Sequence, residues 1–269
     1  MLNILSMENY RIRKNKSTYV VIFLTILIML LSLYMANRIY VTKDKIKNED
    51  KNIHFEIYPE TKDDLSVNGD SYILVQYTNK TILLLMSIFA GIFFSAPYSH
   101  GFIKNFIGMK KKKCKYILSQ YILGVIFTLI LFIISNIIMI IGLPLISEGK
   151  YIVNDLGNLI KIISLQFLLH ISFLSIILLI STITRSMSMT LMISLSYSFV
   201  LINFFVGIID MILNKIFILD DDFTIGIFSP VNNISNLVTT KLNNIIISSI
   251  LIIITCLLLS SVTIDKKDF

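Results

Sequence analysis

Hydrophobic residues run without any Asp, Glu, Lys or Arg at six places along the chain. A helix of about 20 residues crosses the ~30 Å hydrocarbon layer of a membrane. The runs are continuous and rich in Ile, Leu and Phe, whereas the strands of a membrane β-barrel alternate apolar and polar positions. The pattern therefore predicts an all-α, polytopic membrane protein with six transmembrane helices. These helices cover residues 18–36, 81–103, 116–147, 162–184, 186–209 and 242–264.

The overall composition agrees with this pattern. Hydrophobic residues make up 55% of the 269 residues and charged residues 15%, against about 25% charged in an average soluble domain. The net charge of +7 would fit nucleic-acid binding. Here the excess lies beside the spans, where it sets topology and meets anionic lipid headgroups. The lipid bilayer is therefore an expected partner, and nucleic acid is not.

The distribution of Lys and Arg predicts which side of the membrane each segment faces, because cytoplasmic loops are enriched in both. With the N-terminus inside, the inner side receives more than half of the 24 Lys and Arg residues but few of the 17 acidic ones. The outer segments then carry a net negative charge. Both termini are therefore predicted to be cytoplasmic, together with residues 98–116, which we call the lysine loop. The first run lacks a small-residue cleavage site and is interpreted as a retained helix.

Three segments differ from the straight spans. Residues 1–17 interleave apolar and basic positions, which predicts an amphipathic interfacial helix, or otherwise a disordered basic tail. Residues 41–80 are too few to bury an independent core, so we expect an outer loop. Residues 223–240 are apolar but contain Gly226 and Pro230, which predicts a re-entrant outer hairpin or, alternatively, an ordinary loop. Residues 18–269 are expected to form one six-helix transmembrane domain.

Polar side chains inside the spans mark a possible substrate path. They are Asn136, Gln166, His170 and Asn203. Gln166 and His170 are four residues apart and share one helix face. Such groups either join neighbouring helices through hydrogen bonds or line a passage. The spans contain no charged residue, and the chain has no HExxH or CxxC motif, so neither a catalytic nor a metal site is predicted.

The lysine loop has the most specific pattern in the chain. It reads SHGFIKNFIGMKKKKCKY over residues 99–116, with no acidic residue. The order Gly101, Ile103, Lys104 and Asn105, then a short helix-compatible segment and the basic Lys113, resembles the first cytoplasmic loop of the ABC type-2 exporter permeases. The basic N-terminus, the six spans and the Pro-containing segment before the last span extend this resemblance over the whole chain. Two features depart from the family pattern, since Phe102 replaces a usual Thr and residues 98–100 contain no acid.

The resemblance implies that the lysine loop is a coupling helix, which seats in a groove of a separate ATPase dimer. Its lysines would pair with ATPase acids while apolar side chains insert into the groove. The expected coupling residues are Gly101, Phe102, Ile103, Lys104, Asn105, Phe106 and Lys113. ATP and Mg²⁺ would bind the partner, because this chain has no GxxxxGK[ST] motif and no expected cofactor of its own. The alternative is a cationic loop that only sets topology and contacts headgroups.

The resemblance also implies a function. The chain would be the permease subunit of an ATP-driven exporter in a bacterial plasma membrane, acting with a second copy or a related permease, and would not itself be an enzyme. Because no charge lines the spans, we expect a hydrophobic or amphipathic substrate, and similar permeases export antimicrobial or cytolytic peptides or antibiotics, or confer immunity. The alternative is a non-transporting immunity or sensor subunit that binds a peptide or a kinase.

Overall fold

The structure is a computed structural model that describes residues 2–49, 80–99, 101, 113–146, 156–199, 229–235, 237 and 242–266. Every regular element in these residues is a helix, which confirms the all-α prediction. The helices, numbered here in chain order, are α1 (Leu2–Lys14), α2 (Lys16–Glu49), α3 (Thr81–Ser99), α4 (Lys113–Ile146), α5 (Leu156–Thr184), α6 (Met187–Ser198), α7 (Pro230–Ser235) and α8 (Leu242–Lys266).

Five helices are long and apolar enough to cross a membrane, namely α2, α3, α4, α5 and α8. They correspond to five of the six predicted spans. The fifth predicted span, residues 186–209, contains α6, whose 12 described residues are shorter than a crossing. Residues 200–209 of that span lie outside the described residues. The described part of the chain is therefore that of a polytopic helical membrane protein, and the sixth crossing stays a prediction.

The helix directions place several chain segments at one end of the bundle. The side chain of Arg11 in α1 contacts Phe93 near the end of α3. The side chain of Glu8 in α1 contacts Tyr116 near the beginning of α4. Arg185, between α5 and α6, interacts electrostatically with Tyr98 near the end of α3, as Arg11 and Glu8 do. We call this end, which also carries the basic residues of α1, the basic end. The helices α3, α4 and α5 therefore alternate in direction, as the predicted topology requires.

The core of the bundle is centred on α3. Two thirds of its apolar stretch is buried, against 28% for α2 and for α8. Phe89 and Phe93 stack within α3, and the ring of Phe89 lies 3.6 Å from that of Phe127 in α4. The helices α2 and α8 instead expose long apolar faces, as helices that face lipid tails do.

The helices α3 and α6 approach each other closely. A Cβ added to Gly91 in α3 would lie 2.7 Å from Cδ2 of Leu191 and 3.3 Å from Oγ of Ser194, both in α6. The buried side chains of α6 are small, and they recur every four residues as Thr190, Ser194 and Ser198. Small residues at a shared helix face let two backbones pack together. The serine-rich pattern of this segment thus serves packing within the chain.

Two residues at the basic end mark the points where one helix stops and the next begins. Asn15 separates α1 from α2, and its Oδ1 accepts a hydrogen bond of 3.1 Å from the backbone N–H of Ser17, as a helix N-cap does. Arg185 separates α5 from α6 with φ of +54°, a left-handed conformation that usually favours glycine. Apolar residues of α1, including Ile4 and Ile12, pack against the main core. The N-terminal segment is therefore a helix docked on the bundle, while its predicted position along the inner membrane surface stays a prediction.

The short helix α7 lies beside the middle of α5. Its residues Val231 and Ile234 are almost completely buried. The carbonyl of Ile234 accepts a hydrogen bond from Gln166, which lies ten residues into α5, or about 15 Å along that helix at 1.5 Å per residue. The short helix is therefore packed against α5. Residues 223–228 and 238–240 lie outside the described residues, so the hairpin itself stays a prediction.

Candidate functional site

The predicted coupling residues lie at and between the ends of two helices. Gly101 follows α3 and has φ of +70°, with its N–H donating to the carbonyl of Tyr98 over 3.3 Å. Lys113 is the first residue of α4. Phe102, Ile103, Lys104, Asn105 and Phe106 lie outside the described residues. The structure therefore defines where the lysine loop leaves the bundle and where it returns.

A polar cluster of buried and partly buried side chains lies at both ends of this loop. It contains Glu8, Arg11, Tyr98, Tyr116 and Gln120, and we call it the polar junction. Two of its members come from α1, one from the end of α3 and two from the start of α4. Because α3 and α4 are the helices that flank the lysine loop, α1 contacts both flanks at once.

Arg11 makes the contacts on the α3 side. Its Nη2 donates to the backbone carbonyl of Phe93 over 2.8 Å. The guanidinium also lies over the Phe93 ring, 4.4 Å from the ring centre, as in a cation–π pair. Nη1 and Nη2 lie 3.2 Å and 2.8 Å from the two carboxylate oxygens of Glu8. The Nη1 contact is a hydrogen bond and the Nη2 contact an ion pair, so Glu8 holds the guanidinium mainly through charge and one hydrogen bond.

Glu8 makes the contacts on the α4 side. Its side chain is only 1% exposed and hydrogen-bonds with Tyr116 and Gln120. The Nε2 of Gln120 also donates to the Tyr116 hydroxyl over 2.9 Å. Burial raises the pKa of Glu8 above its ordinary value of 4.5, while Arg11 and the two hydrogen bonds oppose the shift. The carboxylate is thus held in place by partners that do not fully offset its loss of hydration.

A second cation completes the environment of the polar junction. Arg185, at the turn between α5 and α6, lies close enough to the Tyr98 hydroxyl to interact with it electrostatically. Arg11 and Glu8 interact with the same hydroxyl. The cluster therefore lies among four parts of the bundle at its basic end: α1, α3, α4 and the turn between α5 and α6. These contacts hold the helices in position relative to one another.

The polar junction was not predicted from the sequence, in which Arg11 is one of several topological charges and Glu8 one of the few acids on the inner side. Two signals were present: a Glu three residues before an Arg in an otherwise basic helix, and Pro97 close to the end of an apolar span. The second signal matters because a proline inside a helix frees a backbone carbonyl.

The predicted path residues lie in a different part of the bundle. His170 and Gln166 are buried in α5, and the imidazole of His170 packs edge-on against the ring of Phe132 at 4.8 Å. Asn136 in α4 donates to the carbonyl of Phe132 over 2.8 Å. His170 therefore lies against Phe132, with Gln166 one turn earlier in α5, and Asn136 bonds the Phe132 carbonyl within α4. Asn203 lies outside the described residues.

Gln166 joins two elements that are far apart in the sequence. Its Nε2 donates to the carbonyl of Ile234 over 3.1 Å, and its backbone carbonyl lies 2.7 Å from Nδ1 of His170. Ile234 is the penultimate residue of α7, and the last carbonyls of a helix have no donor within that helix. The Gln166 side chain thus caps α7 and holds it against α5.

Comparison with known proteins identifies no relative: no protein-family model and no curated protein matches the chain. Within the described residues, no group of three His, Cys, Asp or Glu side chains is placed to hold a metal ion. The two cysteines, Cys114 and Cys256, are both free. The candidate site is therefore the lysine loop together with the polar junction that fixes its two flanks.

Proposed function

We propose that the chain is the membrane-spanning permease subunit of an ATP-driven ABC exporter. A separate ATPase dimer binds ATP and Mg²⁺ and docks on the lysine loop. Two permease copies, or this chain and a related one, form the transport unit. Each has six transmembrane helices, cytoplasmic termini and a re-entrant segment before α8, in a bacterial plasma membrane.

The observation that carries the proposal is the lysine loop and its position. The motif of Gly101, Lys104 and Asn105 resembles the coupling loop of type-2 exporter permeases. In support, the loop connects α3 and α4 at the basic end, where α1 holds both of these helices. A coupling element transmits movement only if the helix ends on either side of it do not shift independently. Here the polar junction ties the end of α3 and the start of α4 together through α1, which suits that task.

The substrate is inferred from the chemistry of the described spans. No charged side chain lies within the apolar stretches of α3, α4 and α8 between residues 81–99, 116–146 and 242–264. A hydrophobic or amphipathic molecule, such as an antimicrobial or cytolytic peptide or an antibiotic, fits such a surface better than an ion or a sugar. We propose that the polar span residues Asn136, Gln166, His170 and Asn203 line its route.

The test is co-purification of the tagged chain in detergent with an ATPase encoded next to its gene. Wild type should retain the ATPase, and the double variant Lys104→Glu/Asn105→Ala should lose it. Lys110→Glu is the matched control, because it makes the same charge change in the same loop outside the resembling motif. Equal retention by wild type and the double variant would contradict docking at this motif, and no ATPase with any variant would favour a non-transporting immunity or sensor subunit.

A further inference from the structure

Pro97 removes one hydrogen bond from the last turns of α3. Proline has no backbone N–H, so the carbonyl four residues earlier, that of Phe93, loses its usual helical donor. Phe93 is only 1% exposed, which leaves little access for water. A buried carbonyl without a donor is costly, so another group has to supply the hydrogen bond.

Arg11 supplies this hydrogen bond from a different helix. Its Nη2 lies 2.8 Å from the freed carbonyl oxygen, and its guanidinium stacks on the ring of the same residue, Phe93. From the other side, Glu8 holds the guanidinium through one hydrogen bond and an ion pair. Only arginine offers several donors in one rigid plane, so it can serve the carboxylate and the carbonyl at the same time.

We propose that Arg11 replaces the amide hydrogen that Pro97 removes, and that through this bond α1 sets the direction in which α3 leads into the lysine loop. A proline loosens a helix at the turn that precedes it, so the segment from Pro97 to Gly101 can adopt more than one angle. The bond from Arg11 selects one angle. Glu8, through Tyr116 and Gln120, fixes the start of α4 in the same way.

The consequence is that α1 is a positioning element for the loop. A displacement of α1, for instance by a change at the membrane surface, moves both flanks of the loop together. This inference concerns the position of the loop and holds with or without a docked ATPase. Only its bearing on ATP-driven transport rests on the proposed function.

A double-mutant cycle tests the proposal directly. Pro97→Ala restores an amide hydrogen that can reach the Phe93 carbonyl within α3. Arg11→Gln should lower the thermal unfolding midpoint in detergent by at least about 2 °C more with Pro97 present than in the Pro97→Ala background, since only with Pro97 does the buried Phe93 carbonyl lose its last donor. Loss of the Glu8 pair occurs in both backgrounds and cancels in the comparison.

A second readout reports on the loop itself. Spin labels at Ser99→Cys and at the native Cys114, both exposed at the loop flanks, measure the distance between the end of α3 and the start of α4. Cys256, which is buried, is replaced by Ala. Arg11→Gln should broaden the distance distribution, and adding Pro97→Ala should narrow it again. Arg13→Gln, which removes the same charge from an exposed neighbour, should leave the distribution unchanged.

Each outcome decides the proposal. If Arg11→Gln costs the same with Pro97 present as in the Pro97→Ala background, Arg11 acts only as the partner of Glu8 and the proposal is overturned. If Arg11→Gln does not fold, the double variant with Pro97→Ala should fold, and its failure also overturns the proposal. No ATPase enters these measurements, so their failure is distinguishable from a failure of the proposed function.

Discussion

Gln166 offers the sharpest test of how α7 is held inside the bundle. Replacing it with Met keeps an unbranched side chain of similar length but removes the donor to the Ile234 carbonyl, which is 3.1 Å away and completely buried. A buried carbonyl that loses its hydrogen-bond donor lowers the free energy of unfolding by about 1–3 kcal/mol. Part of this cost is offset, because the Oε1 of Gln166 itself has no hydrogen-bond partner and its burial penalty disappears. The net loss should be about 1 kcal/mol, similar to measured hydrogen bonds between membrane helices.

Hydrogen exchange by mass spectrometry measures this loss locally. A cost of about 1 kcal/mol raises the open fraction of α7 about fivefold, so amides 231–235 should exchange about five times faster in Gln166→Met. Ser164→Ala is the control, since Ser164 is exposed and bonds only to the carbonyl of Ile160 within α5. Exchange of α7 that changes less than twofold in Gln166→Met would refute the capping role.

Two further predictions concern α3 and α1. Gly91→Ala should lower the free energy of unfolding by about 1 kcal/mol, because the new Cβ would lie 2.7 Å from Cδ2 of Leu191. In the Leu191→Ala background most of that penalty should disappear. If the two substitutions destabilise the protein additively in a melting assay, close packing at this point is contradicted. Glu8→Gln should change the pH dependence of stability. Because the pKa of Glu8 is raised in the folded state, its contribution to stability falls as the pH rises from 4.5 through the folded-state pKa. The melting temperature of the variant minus that of wild type should therefore increase over this pH window. A decrease would show that Arg11 lowers the pKa of Glu8 more than burial raises it.

The sequence predicted the helices well because hydropathy reports directly on burial in lipid. The predicted spans 81–103 and 242–264 begin at the first residues of α3 and α8, Thr81 and Leu242. The ends were less predictable where a helix continues past the hydrocarbon layer. The helix α2 runs to Glu49, 13 residues beyond the predicted limit. Polar residues there lower the hydropathy without breaking the backbone hydrogen bonds, so hydropathy marks the membrane and not the end of the helix.

The polar junction was missed for a related physical reason. A charge next to a span is normally a topological signal, and the sequence alone does not distinguish an exposed Arg from one that bonds a distant carbonyl. Arg13 and Arg11 look equivalent in sequence, yet Arg11 contacts α3 while Arg13 is exposed. The Gln166 and His170 pair was located correctly on one face of α5, but its bond to α7 depends on a contact across 68 residues that no local pattern encodes.

The most direct test of the exporter proposal is ATP hydrolysis by the neighbouring ATPase in lipid nanodiscs, measured with and without this chain. The account predicts that the wild-type chain binds the ATPase and changes its hydrolysis rate, that Lys104→Glu/Asn105→Ala abolishes the change, and that Lys110→Glu preserves it. A rate that is the same without the chain, with wild type and with the double variant would contradict the account and leave the lysine loop as a determinant of membrane topology.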